Sequence, residues 1–334
     1  MPVRTGIVGA MGTADDVAAR GARASANRPA VRRGILGIFA AFLALGLLAA
    51  CTSHVPAPDP DGGSLEYPEP DPTDFDPGLI VSDDSFYNAH AMTERQIDDF
   101  LRDLDCRPRD TAPCVAVYRQ NTVDQPAGGG AGHCEPYEGA RAEPAARIIK
   151  KVSLACGISP RVLLVLMQKE QSLLTRPSVP GYERATGYGC PDTADCDTKY
   201  FGFFNQLYNA AWQFRQYTEE PERAFKIGNV DVGYHPDAAC GASRVAIENQ
   251  ATANLYNYTP YQPNAEALAD PDADGDACSS WGNFNFWRLW NRWFGDPTSV
   301  RYPGFLPPCT SLVGGHPCPT VEPVVREEAG SAAR

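Results

Sequence analysis

Signatures of the common catalytic machineries are missing from this chain. Its 334 residues contain no Gly-x-Ser-x-Gly nucleophile turn, no His-Glu-x-x-His zinc helix and no Walker phosphate loop. The glycine run Gly128-Gly129-Gly130-Ala131-Gly132 has no flanking strand and reads as a flexible turn instead of a phosphate cradle. Histidine is scarce, and His54, His90, His133, His235 and His316 are scattered, which argues against zinc held by clustered Cys and His. Asp270-Pro271-Asp272-Ala273-Asp274-Gly275-Asp276 opens like a calcium loop. Its twelfth position, however, is Trp281, where a bidentate glutamate belongs. No metal and no cofactor are expected. Basic residues are also few: 29 Lys and Arg stand against 41 Asp and Glu, for a net charge of −12. An acidic surface argues against nucleic acid as a partner.

Cysteine is plentiful, and long apolar runs are confined to one place. Arg32 and Arg33 precede an apolar stretch from Ile35 to Ala50, too short to span a membrane comfortably. It ends Leu48-Ala49-Ala50-Cys51, which resembles the lipobox of bacterial lipoproteins. We therefore expect residues 1–50 to be a signal peptide and Cys51 to carry the lipid. The protein would then be exported and anchored to the outer face of the cytoplasmic membrane. The polar preface suggests a later start, with Val31 as the initiating residue. Of eleven cysteines, ten remain after Cys51, an even number suited to an oxidising exterior. Sequence does not set their connectivity. The simplest set pairs neighbours: Cys106–Cys114, Cys134–Cys156, Cys190–Cys196, Cys240–Cys278 and Cys309–Cys318.

Segment 51–84 is acidic and proline-rich, with no Lys or Arg, and reads as an extended tether. At polyproline extension it would reach roughly 100 Å, the scale needed to carry a domain into a cell wall. Residues 299–334 are again rich in Pro and Gly and are expected to be a largely disordered tail. Between them, 85–298 is the size of one domain. Thr93 caps an amphipathic helix whose buried stripe is Ile97, Phe100, Leu101 and Leu104. A helix from Pro144 to Ala155 stops at Gly157, and Ser159-Pro160 opens another that runs to Leu174. Further helices are expected at 206–218, 242–256 and 284–294, with weak strand signals at 186–189 and 199–204. The fold class is thus α+β and mostly helical.

The helix from Pro160 carries six consecutive apolar residues, Val162 to Met167, and should be buried nearly all round. Glu170 follows Leu166 and Met167 by four and three residues and precedes Leu173 and Leu174 by three and four. This spacing places its carboxylate on the apolar face, where desolvation disfavours the charged form and suits a general acid. The alternative is a structural glutamate paired with Lys169, Arg161 or another base. Ile158 through Ser172 resembles the first motif of lysozyme-like soluble lytic transglycosylases and goose-type lysozymes, with Gln171 intervening before Ser172. Gly202-Phe203-Phe204-Asn205-Gln206 resembles their Gly-Leu-Met-Gln motif, leaving open whether Asn205 or Gln206 faces the sugar. Leu255-Tyr256-Asn257-Tyr258-Thr259 resembles Ala-Tyr-Asn-Ala-Gly, with Thr259 replacing the glycine.

Runs near Cys190-Pro191-Asp192-Thr193, Tyr258-Thr259-Pro260-Tyr261 and Asn285-Phe286-Trp287 are similar to exported, wall-associated lysozyme-like proteins of high-GC Gram-positive bacteria. The resemblance spans about 85–296. It implies a lysozyme-like domain that cleaves peptidoglycan glycan strands, with Glu170 as the single acid and base. Tyr200, Gly202, Asn205, Gln206, Tyr256, Asn257, Tyr258 and Tyr261 would bind the sugar. A hydrolase would want a second carboxylate across the cleft. Asp192, Asp195 and Asp197 read first as turn acids. The aromatic stripe from Trp281 to Phe294 reads as a closing helix packed on the core. The faint Asp-Cys-Ser likeness at Asp276–Ser279 lacks a usable downstream histidine. The serious rival is a wall-binding or adhesive module that keeps the fold without turnover. An open cleft favours the enzyme, and a salt-bridged Glu170 favours the binder.

Overall fold

Burial starts earlier in the chain than the proline-rich composition suggests. The structure, a computed structural model, describes residues 67–128, 133–191 and 195–299. The signal segment, Cys51 and the Cys309/Cys318 pair lie outside these residues. Among the described residues no helix is long and apolar enough to cross a membrane. Asp71 caps a 3-10 turn at Pro72–Asp74, and beyond it Phe75, Ile80 and Val81 are buried in the core. The boundary expected between 84 and 85 is therefore corrected, since part of the supposed tether is core. An average over the segment hides three apolar side chains, and prolines restrict a backbone without preventing its burial.

Ser82 caps the short helix α1 (Asp83–Phe86). Helix α2 (Glu94–Asp103) carries the expected capping box between Thr93 and Gln96 and buries Ile97 and Leu101. Strands β1 (Arg119–Gln120) and β2 (Glu143–Pro144) form a minimal antiparallel pair, with Arg119 opposite Pro144. Helix α3 (Ala145–Cys156) follows at once and closes on Gly157, whose φ of 65° is the left-handed value that glycine tolerates. Helix α4 (Pro160–Gln171) is the centre of the molecule, and Val162 to Met167 are fully buried, as their apolar run implied. It ends three residues before the expected Leu174. Ser172 turns left-handed (φ 51°), and the Gln168 side chain accepts from the backbone of Leu174 and Thr175. Helix α5 (Val179–Glu183) leads into the loop before helix α6 (Phe203–Glu219).

The largest departure from the sequence reading lies next. Strands β3 (Gly228–Gly233) and β4 (Ala242–Ile247) form an antiparallel hairpin in the register Gly228 opposite Ile247. A single helix was expected over 242–256. Instead, Asn249 caps a shorter helix, α7 (Gln250–Tyr258). The alternation of Val245 and Ile247 buried with Arg244 and Ala246 exposed is a strand period, which hairpin pairing selects over helical propensity. The strand signals at 186–189 and 199–204 are turns, a 3-10 helix (Thr198–Tyr200) and the start of α6. Helix α8 (Ala265–Ala269) and the closing helix α9 (Gly282–Phe294) complete the fold. Helix α9 packs on α4 and buries Phe284, Phe286, Trp287, Trp290 and Trp293, which makes its aromatic stripe core. The domain is mostly helical α+β, with two small antiparallel sheets among the described residues.

Among the described residues four disulfides are present: Cys106–Cys114, Cys134–Cys156, Cys190–Cys196 and Cys240–Cys278. These are the nearest-neighbour pairings. Cys240–Cys278 ties the β3–β4 hairpin to the segment before α9.

Candidate functional site

The last turn of α4 delivers Glu170 to a cleft. A carboxylate there faces the negative end of the helix dipole, a placement that costs roughly 0.3–1 kcal/mol without compensation. Compensation comes from Lys169, whose Nζ lies 2.5 Å from Glu170 Oε1. The Glu170 side chain is 24% exposed and that of Lys169 only 6%, so the lysine is the more deeply buried of the two. Lys169 Nζ also donates to Thr259 Oγ1 at 2.9 Å. The other carboxylate oxygen, Oε2, lies against Gly187. A Cβ added there would sit 3.0 Å from it, and Gly187 has φ +71°.

Gly187 begins one wall of an open cleft of about 310 Å³, formed by residues 187–191. Tyr200, Gln213, Tyr217 and Tyr258 complete the lining, and among the described residues no acid belongs to it. Tyr188 and Tyr200 meet edge to face with centroids 4.7 Å apart. Tyr258 donates its hydroxyl to Thr186 O at 2.8 Å. Burial holds the Tyr258 phenol well above its ordinary range, and the nearby Glu170 charge adds to that. Burial and the adjacent Tyr200 do the same for Tyr188. Both phenols therefore stay neutral. A larger groove of about 560 Å³ lies between α2 and the segment 116–119. Its acids and bases are largely matched among themselves and their neighbours, as in Arg102–Asp98 and Arg147–Glu94, so it offers no comparable chemistry.

The expected sugar-facing residues separate into two groups. Tyr200 and Tyr258 line the cleft. Gln206 does not, because it is fully buried and its amide is spent on the loop. Its Nε2 donates to Tyr188 O and Tyr200 O, and its Oε1 accepts from the backbone of Thr186 and Tyr188. Gln206 shapes the wall from behind. Asn205 donates to Lys199 O and accepts from Asn209, again outside the lining. Gly202 supplies the left-handed turn (φ +104°) that starts α6. Tyr256 is buried with its hydroxyl on Pro77 O, and Asn257 binds Phe225 O and Ala253 O. Residues two apart on a helix point to opposite sides, so only one of Tyr256 and Tyr258 could face the cleft. Tyr261 pairs by a bridge with Gly233, away from the lining. Asp197 caps the 3-10 turn and pairs with Lys199, and Lys199 leads the causes that hold its carboxyl below the usual range. Among the described residues no cluster of His, Cys, Asp or Glu could hold a metal. In the acidic loop, Asp272 binds Arg288 and Asp276 binds Asn264.

Gln213, Tyr217 and Tyr188 escaped the sequence reading. The first two stand seven and eleven residues beyond Gln206, on the same face of α6. That periodicity was available in the sequence. The position of Tyr188 depends on how the loop is folded and was not. Comparison of the chain with protein-family models, with curated proteins and with solved structures gave no match.

Proposed function

We propose that this protein is a lysozyme-like, peptidoglycan-cleaving enzyme, exported and held to the membrane through lipid on Cys51, with Glu170 as its single acid and base. The observation that carries the reading is the Glu170 carboxylate seated against Gly187, at the edge of an open, tyrosine-lined cleft that no acid lines among the described residues. Rings stack on sugar faces, and neutral phenols together with Gln213 suit hydroxyl and N-acetyl groups. A lone carboxylate fits a reaction in which the substrate supplies the second group. Protonated Glu170 gives its proton to the glycosidic oxygen as the C1–O bond breaks. The 2-acetamido oxygen of the muramic sugar closes on C1. The 6-hydroxyl then attacks C1 and opens that ring, and its proton returns to Glu170, leaving a 1,6-anhydro product. No water enters and no second acid is required, in contrast to a hydrolytic muramidase.

One observation favours a second reading. The Lys169 ammonium at 2.5 Å engages the carboxylate that an acid catalyst must offer. A wall-binding module on the same scaffold would keep the tyrosine cleft and have no use for proton transfer.

The Glu170→Gln variant separates the two. The amide keeps the size of the side chain and still accepts from Lys169. Release of fragments from insoluble wall should fall at least about a hundredfold, while wall affinity stays within about twofold. Mass spectrometry of the fragments identifies the product. Wild-type protein that binds wall and releases neither 1,6-anhydro nor reducing-end fragments would establish the binding module instead.

A further inference from the structure

We infer that Lys169 is a positioning residue for Glu170: with Thr259 it forms a buried clasp that fixes Oε1 and leaves Oε2 to the cleft. The inference rests on the proposed catalytic reading of Glu170 and adds to it a second residue and a geometric role.

Adjacent residues on a helix diverge by about 100° and do not ordinarily face each other. Lys169 and Glu170 nevertheless meet at 2.5 Å, so both side chains must bend to the same side. What draws Lys169 there is Thr259, the residue that caps the C-terminal end of α7 and accepts from Nζ at 2.9 Å. The first residue of α9 closes the arrangement from the other side. A Cβ added to Gly282 would fall 2.4 Å from Thr259 Cγ2 and 3.8 Å from Lys169 Nζ. Three helices therefore converge on one ammonium group. Removing an ammonium from water costs several kcal/mol unless it is paired and hydrogen-bonded. A lysine needed only for solubility would point outward, yet this side chain is 6% exposed.

The division of the two carboxylate oxygens gives the clasp its consequence. Oε1 is held by Nζ, and Oε2 lies beside the Gly187 backbone at the cleft wall. Rotation of the carboxylate about its last bond is thereby restrained, and the oxygen presented to a ligand is always the same one. Catalytic groups need placement to within about 0.5 Å, and a free glutamate at a helix end does not have that precision. The Lys169 side chain is 6% exposed and does not line the cleft, so in this role it acts through Glu170.

Three variants test the clasp. Lys169→Met keeps the length of the side chain and removes its charge. Thr259→Val removes one partner and is the milder change should the methionine variant fail to fold. Thr259→Ser restores the hydroxyl. Two measurements are made on each: steady-state fragment release from purified peptidoglycan, and the rate at which Glu170 is labelled by a water-soluble carbodiimide, read by peptide mass mapping. Lys169→Met should lower kcat at least about tenfold with KM within about twofold, and label Glu170 several-fold faster than wild type. Thr259→Val should move both readouts the same way by less, and Thr259→Ser should recover most of the loss. A folded Lys169→Met that keeps its kcat overturns the inference, as does equal labelling of Glu170 in Lys169→Met and wild type. Where Lys169→Met does not fold, unchanged readouts in Thr259→Val overturn it. A wild type that releases no fragments sinks the catalytic reading alone; the labelling rates then still decide whether the clasp holds Glu170.

Discussion

Asp83 is a carboxylate that the fold holds at some expense. It stands in the first turn of α1 and accepts from the backbone of Ala251 at 2.8 Å, tying the start of the domain to α7. Burial, helped by the neighbouring Asp84 charge, lifts its carboxyl from 3.8 to about 6. The folded protein thus binds this proton more tightly than the unfolded chain does. The stabilisation is complete below about pH 4 and is lost as pH rises through 6. The full shift corresponds to about 3 kcal/mol, and solvent screening at the partly exposed side chain reduces it to about 1–2 kcal/mol. Thermal melts between pH 4 and 7 should show that decline in the wild type, and Asp83→Asn should flatten it. A parallel decline in the variant would assign the effect elsewhere. Gly187 makes a second test. Alanine there meets both a left-handed backbone and Glu170 Oε2 at 3.0 Å. The expected cost is roughly 1–2 kcal/mol in stability, with loss of fragment release, checked by melting and by the wall assay. The place of Glu170 at the end of the apolar helix α4 was legible in the sequence, because Ser159-Pro160 and the run from Val162 to Met167 mark that helix. The partner of Glu170 among several possible bases was not, since that choice depends on where Thr259 and Gly282 come to rest.

The disulfides divide their work between stability and shape. Cys240–Cys278 spans 38 residues and Cys190–Cys196 spans 6. Loop-closure entropy assigns the long bridge about 4 kcal/mol and the short one about 2 kcal/mol. Replacing both cysteines of the long bridge by serine should therefore lower the melting temperature more. Replacing those of the short bridge should weaken wall binding more, because Cys190 belongs to the cleft wall and Tyr188 stands two residues before it. Equal effects of the two replacements on both measurements would refute this division. Helix α4 was readable almost residue by residue: Ser159 and Pro160 open it, and its apolar run requires burial. The β3–β4 hairpin was not. Each strand is a short period-2 segment that gains stability only when the other lies beside it, so neither carries a sufficient local signal.

The strand of chain from Tyr67 to Ser82 wraps the domain. Tyr67 N donates to Arg292 O at 3.0 Å, Glu69 accepts from Arg288 and Arg292 on α9, and Ser82 N donates to Pro297 O at 3.2 Å. The exposed ion pairs contribute little, whereas burial of Phe75, Ile80 and Val81 contributes on the order of 5 kcal/mol together. A chain beginning at Ser85 should melt at least about 10 °C below one beginning at Tyr67. Glu69→Ala should shift the melt by only a few degrees, and less in high salt. Similar melting of the two truncated chains would mean that the wrap is decorative.

By itself the sequence determined the mostly helical class, the caps of α2 and α4, the burial of the α9 aromatics and the place of Glu170 in the last turn of α4. Each of these is a local matter of periodicity, capping chemistry or apolar content within one or two turns. Tertiary structure alone decided that segment 75–82 is core, that Gln206 builds the cleft wall from behind, and that Tyr188, Gln213 and Tyr217 line it. It also selected Lys169 as the partner of Glu170. These outcomes depend on which distant segment arrives at a given surface, and the energy of that arrival is shared among many residues, none of which carries it in its own neighbourhood.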